Sequence, residues 1–192
     1  MKLCSLLFTV LISGTLLSGC FGGGADETAA GTGRIRVYET ADFSIEAPFD
    51  WEIITPSDFT TEIPQNTLVA FRNNVKNSDF TANVVVLKNT LPEQVSSIDH
   101  AKGLSQRNAG SVIDFAEVTR EEVDVNAGEN AYASLYYVFD GKETEDAKVK
   151  RFFQTSVVKG KDAFIITGAA IADEDESVLQ SLSDAVKSFR AK

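Results

Sequence analysis

From residue 34 onward apolar and polar positions alternate in short runs, the period-2 signature of half-buried strands. Ile35 and Val37, then Phe43, Ile45 and Ala47, flank the turn-forming Thr40-Ala41-Asp42 and predict a β-hairpin. Pro48 and Pro56 bracket Trp51-Glu52-Ile53-Ile54, a short strand expected to bury the only tryptophan of the chain, and Pro64 closes the loop that follows. Residues 68–72 and 83–87 are apolar, valine-containing runs too short for helices. Asn73, Asn74, Asn77 and Ser78 between them supply turn chemistry, so a second hairpin follows. Longer strand runs occupy residues 113–125, 130–139 and 149–158, and residues 163–171 return against the last of these across Lys159-Gly160-Lys161-Asp162. Strands in that order, joined by short turns, make a meander.

Twice the period changes to that of a helix. Val95, Ile98, Ala101 and Leu104 share one face of a helix over residues 95–107, with Glu93 and Asp99 early, Lys102 and Arg107 late, and Gly110 as its expected stop. Val178, Leu179, Leu182, Ala185, Val186 and Phe189 form a cleaner stripe near the end of the chain. Asp173, Glu174, Asp175 and Glu176 begin that helix and Lys187, Arg190 and Lys192 finish it, the order the helix dipole favours. Antiparallel strands with two amphipathic helices to cover their faces define an α+β domain. No internal repeat at a fixed period is present.

The first 33 residues follow another pattern. One lysine precedes an apolar run over residues 6–17, shorter than the ~20 residues a membrane-spanning helix needs, and this reads as a secretory signal. Leu17-Ser18-Gly19-Cys20 resembles the lipobox of bacterial lipoproteins, in which small residues precede a cysteine that takes a diacylglycerol thioether and becomes the mature N-terminus. Residues 1–19 are therefore expected to be a lipoprotein signal peptide and Cys20 the lipid-modified residue. Residues 20–33, rich in glycine and without apolar period, are the anchor and a flexible linker with a reach of about 20 Å. Residues 34–192 are the folded domain. With Cys4 removed and Cys20 acylated, that domain has no thiol, so its stability must come from burial and hydrogen bonding.

Composition narrows the function. Eighteen Lys plus Arg against 28 Asp plus Glu give a net charge of −10, which repels phosphate backbones; no nucleic-acid partner is expected. His100 is the only histidine, and the helical phase places it about 200° around from Ile98, toward water. One imidazole without a second histidine, a free cysteine or a Gly-x-Ser-x-Gly elbow does not make a metal or nucleophile site, so no catalytic, cofactor-binding or metal-binding residue is expected. The carboxylates at Glu121-Glu122, at Asp140 with Glu143, Glu145 and Asp146, and at residues 173–176 lack the Asp spacing and turn glycine of a calcium loop. The second group reads as a solvated hairpin tip at Asp140-Gly141, screened by Lys148, Lys150 and Arg151. Tyr132, Tyr136 and Tyr137 mark either a binding face or the underside of a helix.

An ordered set of residues adds a family. Tyr38, Phe43, Ile45, Pro48 and Trp51 in the first hairpin, Phe71-Arg72 closing the next strand, Gly128 ahead of Ala131-Tyr132, and Ser188-Phe189 on the last helix resemble the PsbP-like family, the fold of the extrinsic photosystem II protein. The resemblance runs from about Arg34 to Lys192. It implies an α/β/α sandwich around an antiparallel sheet, and a domain that acts by docking to something larger; it does not imply photosynthesis, since related domains occur in bacteria without photosystems and in a eukaryotic Ran-binding protein. The expectation is a lipoprotein held on the extracytoplasmic side of a cell membrane or outer membrane. It would work without enzymatic activity as an assembly or protein-interaction module, with a protein as partner. The alternatives are an envelope small-ligand or cell-wall binding module, which would show an apolar or aromatic-lined groove, and an envelope hydrolase, which would show converging polar groups.

Overall fold

The computed structural model describes residues 34–58, 64–127 and 130–192. The expected signal peptide, linker, lipid-bearing Cys20 and Gly128 lie outside the described residues. Within them the chain forms a mostly β protein with two helices. In order these are β1 (Ile35–Glu39), β2 (Phe43–Pro48), β3 (Glu52–Ile54), β4 (Thr67–Arg72), β5 (Asn83–Thr90), α1 (Ser97–Ser111), β6 (Ile113–Ala127), β7 (Asn130–Lys142), β8 (Lys150–Lys159), β9 (Asp162–Ile171), α2 (Glu176–Ser188) and β10 (Arg190–Ala191). All the strands join one sheet in the order β1-β2-β10-β6-β7-β8-β9-β5-β4-β3, antiparallel throughout except where β10 runs parallel to β6.

The sheet curls. Tyr38 of β1 and Phe71 of β4 belong to strands near its opposite ends, yet their rings meet edge-on at 5.6 Å. Phe43 of β2 likewise reaches Phe164 of β9 at 6.2 Å. The concave face so formed is closed by α2, whose Leu182 and Val186 have no solvent exposure, and by Phe189 just beyond it, stacked on Phe43 at 5.4 Å. Each such side chain contributes about 1.5–3 kcal/mol of burial. Gly168 of β9 lets the helix approach: a Cβ there would already touch Leu182 and Val186 at 3.3 Å. Asp175 caps α2 by accepting from the Ser177 amide, and Lys187 stands in its last turn, so charge order and apolar stripe agree as expected.

Helix α1 lies on the other, convex face. Phe153 and Val157 of β8 point into the concave core, whereas Phe152 points into a second apolar cluster with Tyr137, Phe139 and Val112, and Gln154 and Ser156 hydrogen-bond to α1. Ala101 and Leu104 of the expected face are buried, but Ser97 and Ser105 join them where Val95 and Ile98 are expected, and those two are only partly buried. A helix with so little apolar surface is held by hydrogen bonds instead. Ser97 Oγ accepts from the Val158 amide at 2.8 Å, and Arg120 donates to Ser105 Oγ at 2.7 Å. Gly110 does not stop α1; the helix runs to Ser111 and ends where β-branched Val112 and Ile113 turn into β6.

Three local readings also change. In β1 Tyr38 faces the core and Val37 is exposed, one residue out of phase with the expectation. Arg190 does not extend the last helix: with Ala191 it forms β10, wedged between β2 and β6, and Lys192 pairs with Glu39 at 2.5 Å. Asp140-Gly141 is not a hairpin tip, because β7 continues through Lys142. Gly141 is required there by close approach, since a Cβ would lie 2.1 Å from Val112 Cγ1. Lys150 is buried, paired with Glu143 at 2.8 Å and seated 4.0 Å over the Phe80 ring, so it anchors the strand start instead of screening a loop.

Trp51 is buried in the concave core at 5% exposure, as the bracketing prolines suggest. Trp51→Ala should therefore destabilise the domain by about 3–5 kcal/mol in denaturant unfolding, as emptied aromatic sites in cores do. A loss below about 1 kcal/mol would place that side chain outside the packed core.

Candidate functional site

α1 lies mainly over β7 and β8, with β6 at its edge, and it leaves part of the convex face open. The uncovered strip is a groove of about 730 Å³, in the range of small-ligand and peptide sites. Its floor comes from β5 and β9, where Val85 pairs with Thr167 and Leu87 with Ile165. The C-terminal half of α1, from Leu104 to Ser111, and Val112 just beyond it form one wall, and Pro64, Asn66 and Phe80 contribute from the loops on other sides. Phe139 and Phe152 close one end, stacked on each other at 4.9 Å and 15°.

Polar groups in this groove are almost all neutral. Asn66, Asn83, Asn89, Gln106, Asn108 and Gln154 line it, and Arg107 is its one charged side chain among the described residues, in a chain with 28 acids. The deepest of the amides are locked. Asn108 Nδ2 donates to Tyr137 Oη at 2.8 Å and to Gln154 Oε1 at 3.1 Å, Tyr137 also donates to Gln154, and Gln154 Nε2 donates to Thr167 Oγ1 at 2.6 Å. This network ties α1 to β7, β8 and β9 and fixes the wall against the floor. Asn66 donates to Asn89 Oδ1 at 2.6 Å across the far side. Arg107 is exposed at the rim.

His100 is not turned toward water. It is half-buried on the sheet side of α1, and its Nδ1 shares a 2.6 Å hydrogen bond with Ser156 Oγ on β8. A serine beside an imidazole has the outline of a nucleophile and its base, but Ser156 has no solvent exposure and neither residue lines the groove. Ser156 sits where the β7–β8 ladder, which pairs Tyr137 with Gln154, has given out. Hydroxyls bridge that gap: Ser134 donates to the Ser156 carbonyl and Thr155 to the Leu135 carbonyl at 3.0 Å. The pair is a tie within this seam. Burial, and then the Arg107 guanidinium, hold the His100 pKa below its ordinary value.

Several of the carboxylates singled out in the sequence are already engaged within the fold. Glu121 pairs with Lys187 at 2.6 Å, Asp140 with Arg151 at 2.8 Å, Glu143 with Lys150, and Asp175 caps α2. Among the described residues no three potential metal ligands come together. The tyrosines separate onto the two faces: Tyr136 lies under α2 and donates to Ser183 Oγ at 2.8 Å, and Tyr137 lies under α1. Burial pushes the Tyr136 phenol up to about 12 and raises that of Tyr137 as well, so both stay protonated at neutral pH. Both serve as packing groups, the underside-of-a-helix reading.

The groove itself carries no sequence motif. Its residues come from β5, α1, β7, β8, β9 and two loops, and alternating β5 residues Asn83, Val85, Leu87 and Asn89 are the one stretch whose pattern shows an amphipathic strip.

No protein-family model and no curated protein matches the sequence. Solved structures do. The cyanobacterial PsbP (CyanoP) from Synechocystis sp. PCC 6803 aligns over 92% of this chain and 99% of its own, with a TM-score of 0.53 at 14% identity. The Ran-binding protein Mog1p of Saccharomyces cerevisiae aligns over 83% and 96%, with a TM-score of 0.54 at 11% identity. LpqN of Mycobacterium tuberculosis, described as involved in cell envelope biogenesis, aligns over 88% and 91% with a TM-score of 0.48 at 12% identity. The domain has the PsbP-like fold.

The state of His100 sets a pH dependence. Its folded pKa lies below the unfolded value of about 6.5, so the unfolded chain binds the proton first and stability falls as pH drops from about 6.5 through the folded pKa. The melting temperature of the wild type should fall more than that of His100→Asn between pH 7.5 and 5.5. Parallel curves for the two proteins would show that His100 titrates as a solvent-exposed group.

Proposed function

We propose that the chain is a non-enzymatic binding module of the bacterial cell envelope, held to the membrane by lipid on Cys20, with the convex-face groove as its working surface. The helix–sheet–helix arrangement assigns the two faces different duties: α2 and the concave core hold the fold, while α1 covers only part of the convex face and frames the groove. The single observation that carries the reading is the character of that groove, an apolar floor bounded by neutral amides and one guanidinium, which is the make-up of a recognition surface. Yeast Mog1p, which shares the fold, is a Ran-binding protein, and a protein partner for this chain is in keeping with it. A small-ligand or cell-wall binder is the second reading, favoured by the groove's volume of about 730 Å³.

A photo-crosslinking residue tests the reading in the cell. Benzoylphenylalanine at Gln106, exposed on the rim, should give discrete adducts, and the same residue at exposed Glu122 on β6 should not. Gly110→Trp fills the groove from a position with open space around it, and it should abolish the adducts without lowering the melting temperature. Cys20→Ser should abolish fatty-acid labelling. Adducts that are equal at both positions or indifferent to Gly110→Trp would contradict the groove, and undiminished labelling would contradict the anchor.

A further inference from the structure

Resting on the groove as the working surface, we infer that its ligand is a short extended peptide segment of a partner protein, with apolar side chains at alternate positions and an acidic group at one end. The lining excludes the simpler occupants. A hydrocarbon chain would desolvate Gln106, Asn89 and the unshared Asn108 Oδ1 without replacing their hydrogen bonds to water, at a cost for each. A peptide backbone offers both donors and acceptors to side-chain amides, which themselves carry both. A sugar ring calls for an open aromatic face, but the three phenylalanines of the lining, Phe80, Phe139 and Phe152, are all buried.

The periodicity fits as well. On β5 the groove-facing residues alternate along the strand as Asn83, Val85, Leu87 and Asn89, with amides at the two ends and apolar side chains between. An extended segment lying along this strip would set its own alternate side chains on Val85, Leu87 and Ile165. Charge selects its polarity. Among the described residues Arg107 makes no ion pair, and it is the only charged one of them that lines the groove. With screening over about 8 Å at physiological ionic strength, this local cation outweighs the remote negative charge of the chain. The segment should therefore place a side-chain or terminal carboxylate beside the C-terminal half of α1.

The full chain in lipid nanodiscs, titrated with three sets of fluorescein-labelled hexapeptides, tests this. The sets share leucine or valine at alternate positions and carry Glu, Gln or Lys at the last. The Glu set should bind about fivefold more tightly than the Gln set, as an accessible ion pair warrants, with the Lys set weaker still. Arg107→Gln should bring the Glu and Gln sets within twofold of each other, and Gly110→Trp should abolish binding of both. Dodecanoate should not displace the peptide. Absence of binding by all sets, a preference that survives Arg107→Gln, or displacement by dodecanoate would overturn the peptide assignment. Adducts at Gln106 in the cell that persist alongside such a result would leave the groove standing as the site and reject only this ligand class; loss of both would reject the groove itself.

Discussion

The domain depends on the curled sheet closing over the apolar stripe of α2. Leu182, Val186 and Phe189 are wholly excluded from water, and they reach that state only because β1 and β2 swing round to bring Tyr38 onto Phe71 and Phe43 onto Phe164 and Phe189. β10 follows from the same closure. Beyond Phe189, Arg190 and Ala191 fit between β2 and β6 and complete the sheet. Because this face carries the larger share of the apolar burial, with smaller clusters on the other, the convex face is free to be incomplete.

On the convex face the physics differs. α1 has one large buried apolar residue, Leu104, and is fastened by Ser97, His100, Ser105 and Asn108 to groups on β6, β7 and β8. Hydrogen bonds of this kind each contribute about 0.5–1.5 kcal/mol net, less than a buried leucine, but they fix direction. They hold the helix over β7 and β8 in one orientation and leave β5 and β9 beside it uncovered. The groove is thus the consequence of a helix held by directed polar contacts instead of a broad apolar stripe.

What the sequence disclosed follows this division. The meander and α2 are legible because strand alternation and the stripe from Val178 to Phe189 are driven by burial, which composition records. α1 was legible as a helix but not in its phase, because the residues that face the sheet are small or polar and Ile98, the obvious apolar choice, is only partly buried. The same cause hid His100, whose partner Ser156 is 56 residues away on a strand whose ladder has opened. The burial of Lys150 is not legible, because a cation reads as solvated until Glu143 and the Phe80 ring are brought to it by tertiary structure. The sheet order was not legible: β5 pairs with β9 across a helix and three strands, and no local pattern encodes that meeting. The groove is assembled from that pairing, and for this reason its residues are not legible in the sequence.

Native-state hydrogen exchange tests the division of labour between the faces most directly, since it reads the opening free energy of each helix separately. Amides of α2 around Leu182 and Val186 should exchange only through global unfolding, and those of α1 around Ala101 and Leu104 through a cheaper, separate opening that spares the concave core. Equal protection of the two helices, both limited by global unfolding, would contradict the claim that burial under α2 holds the fold while α1 is fastened to it.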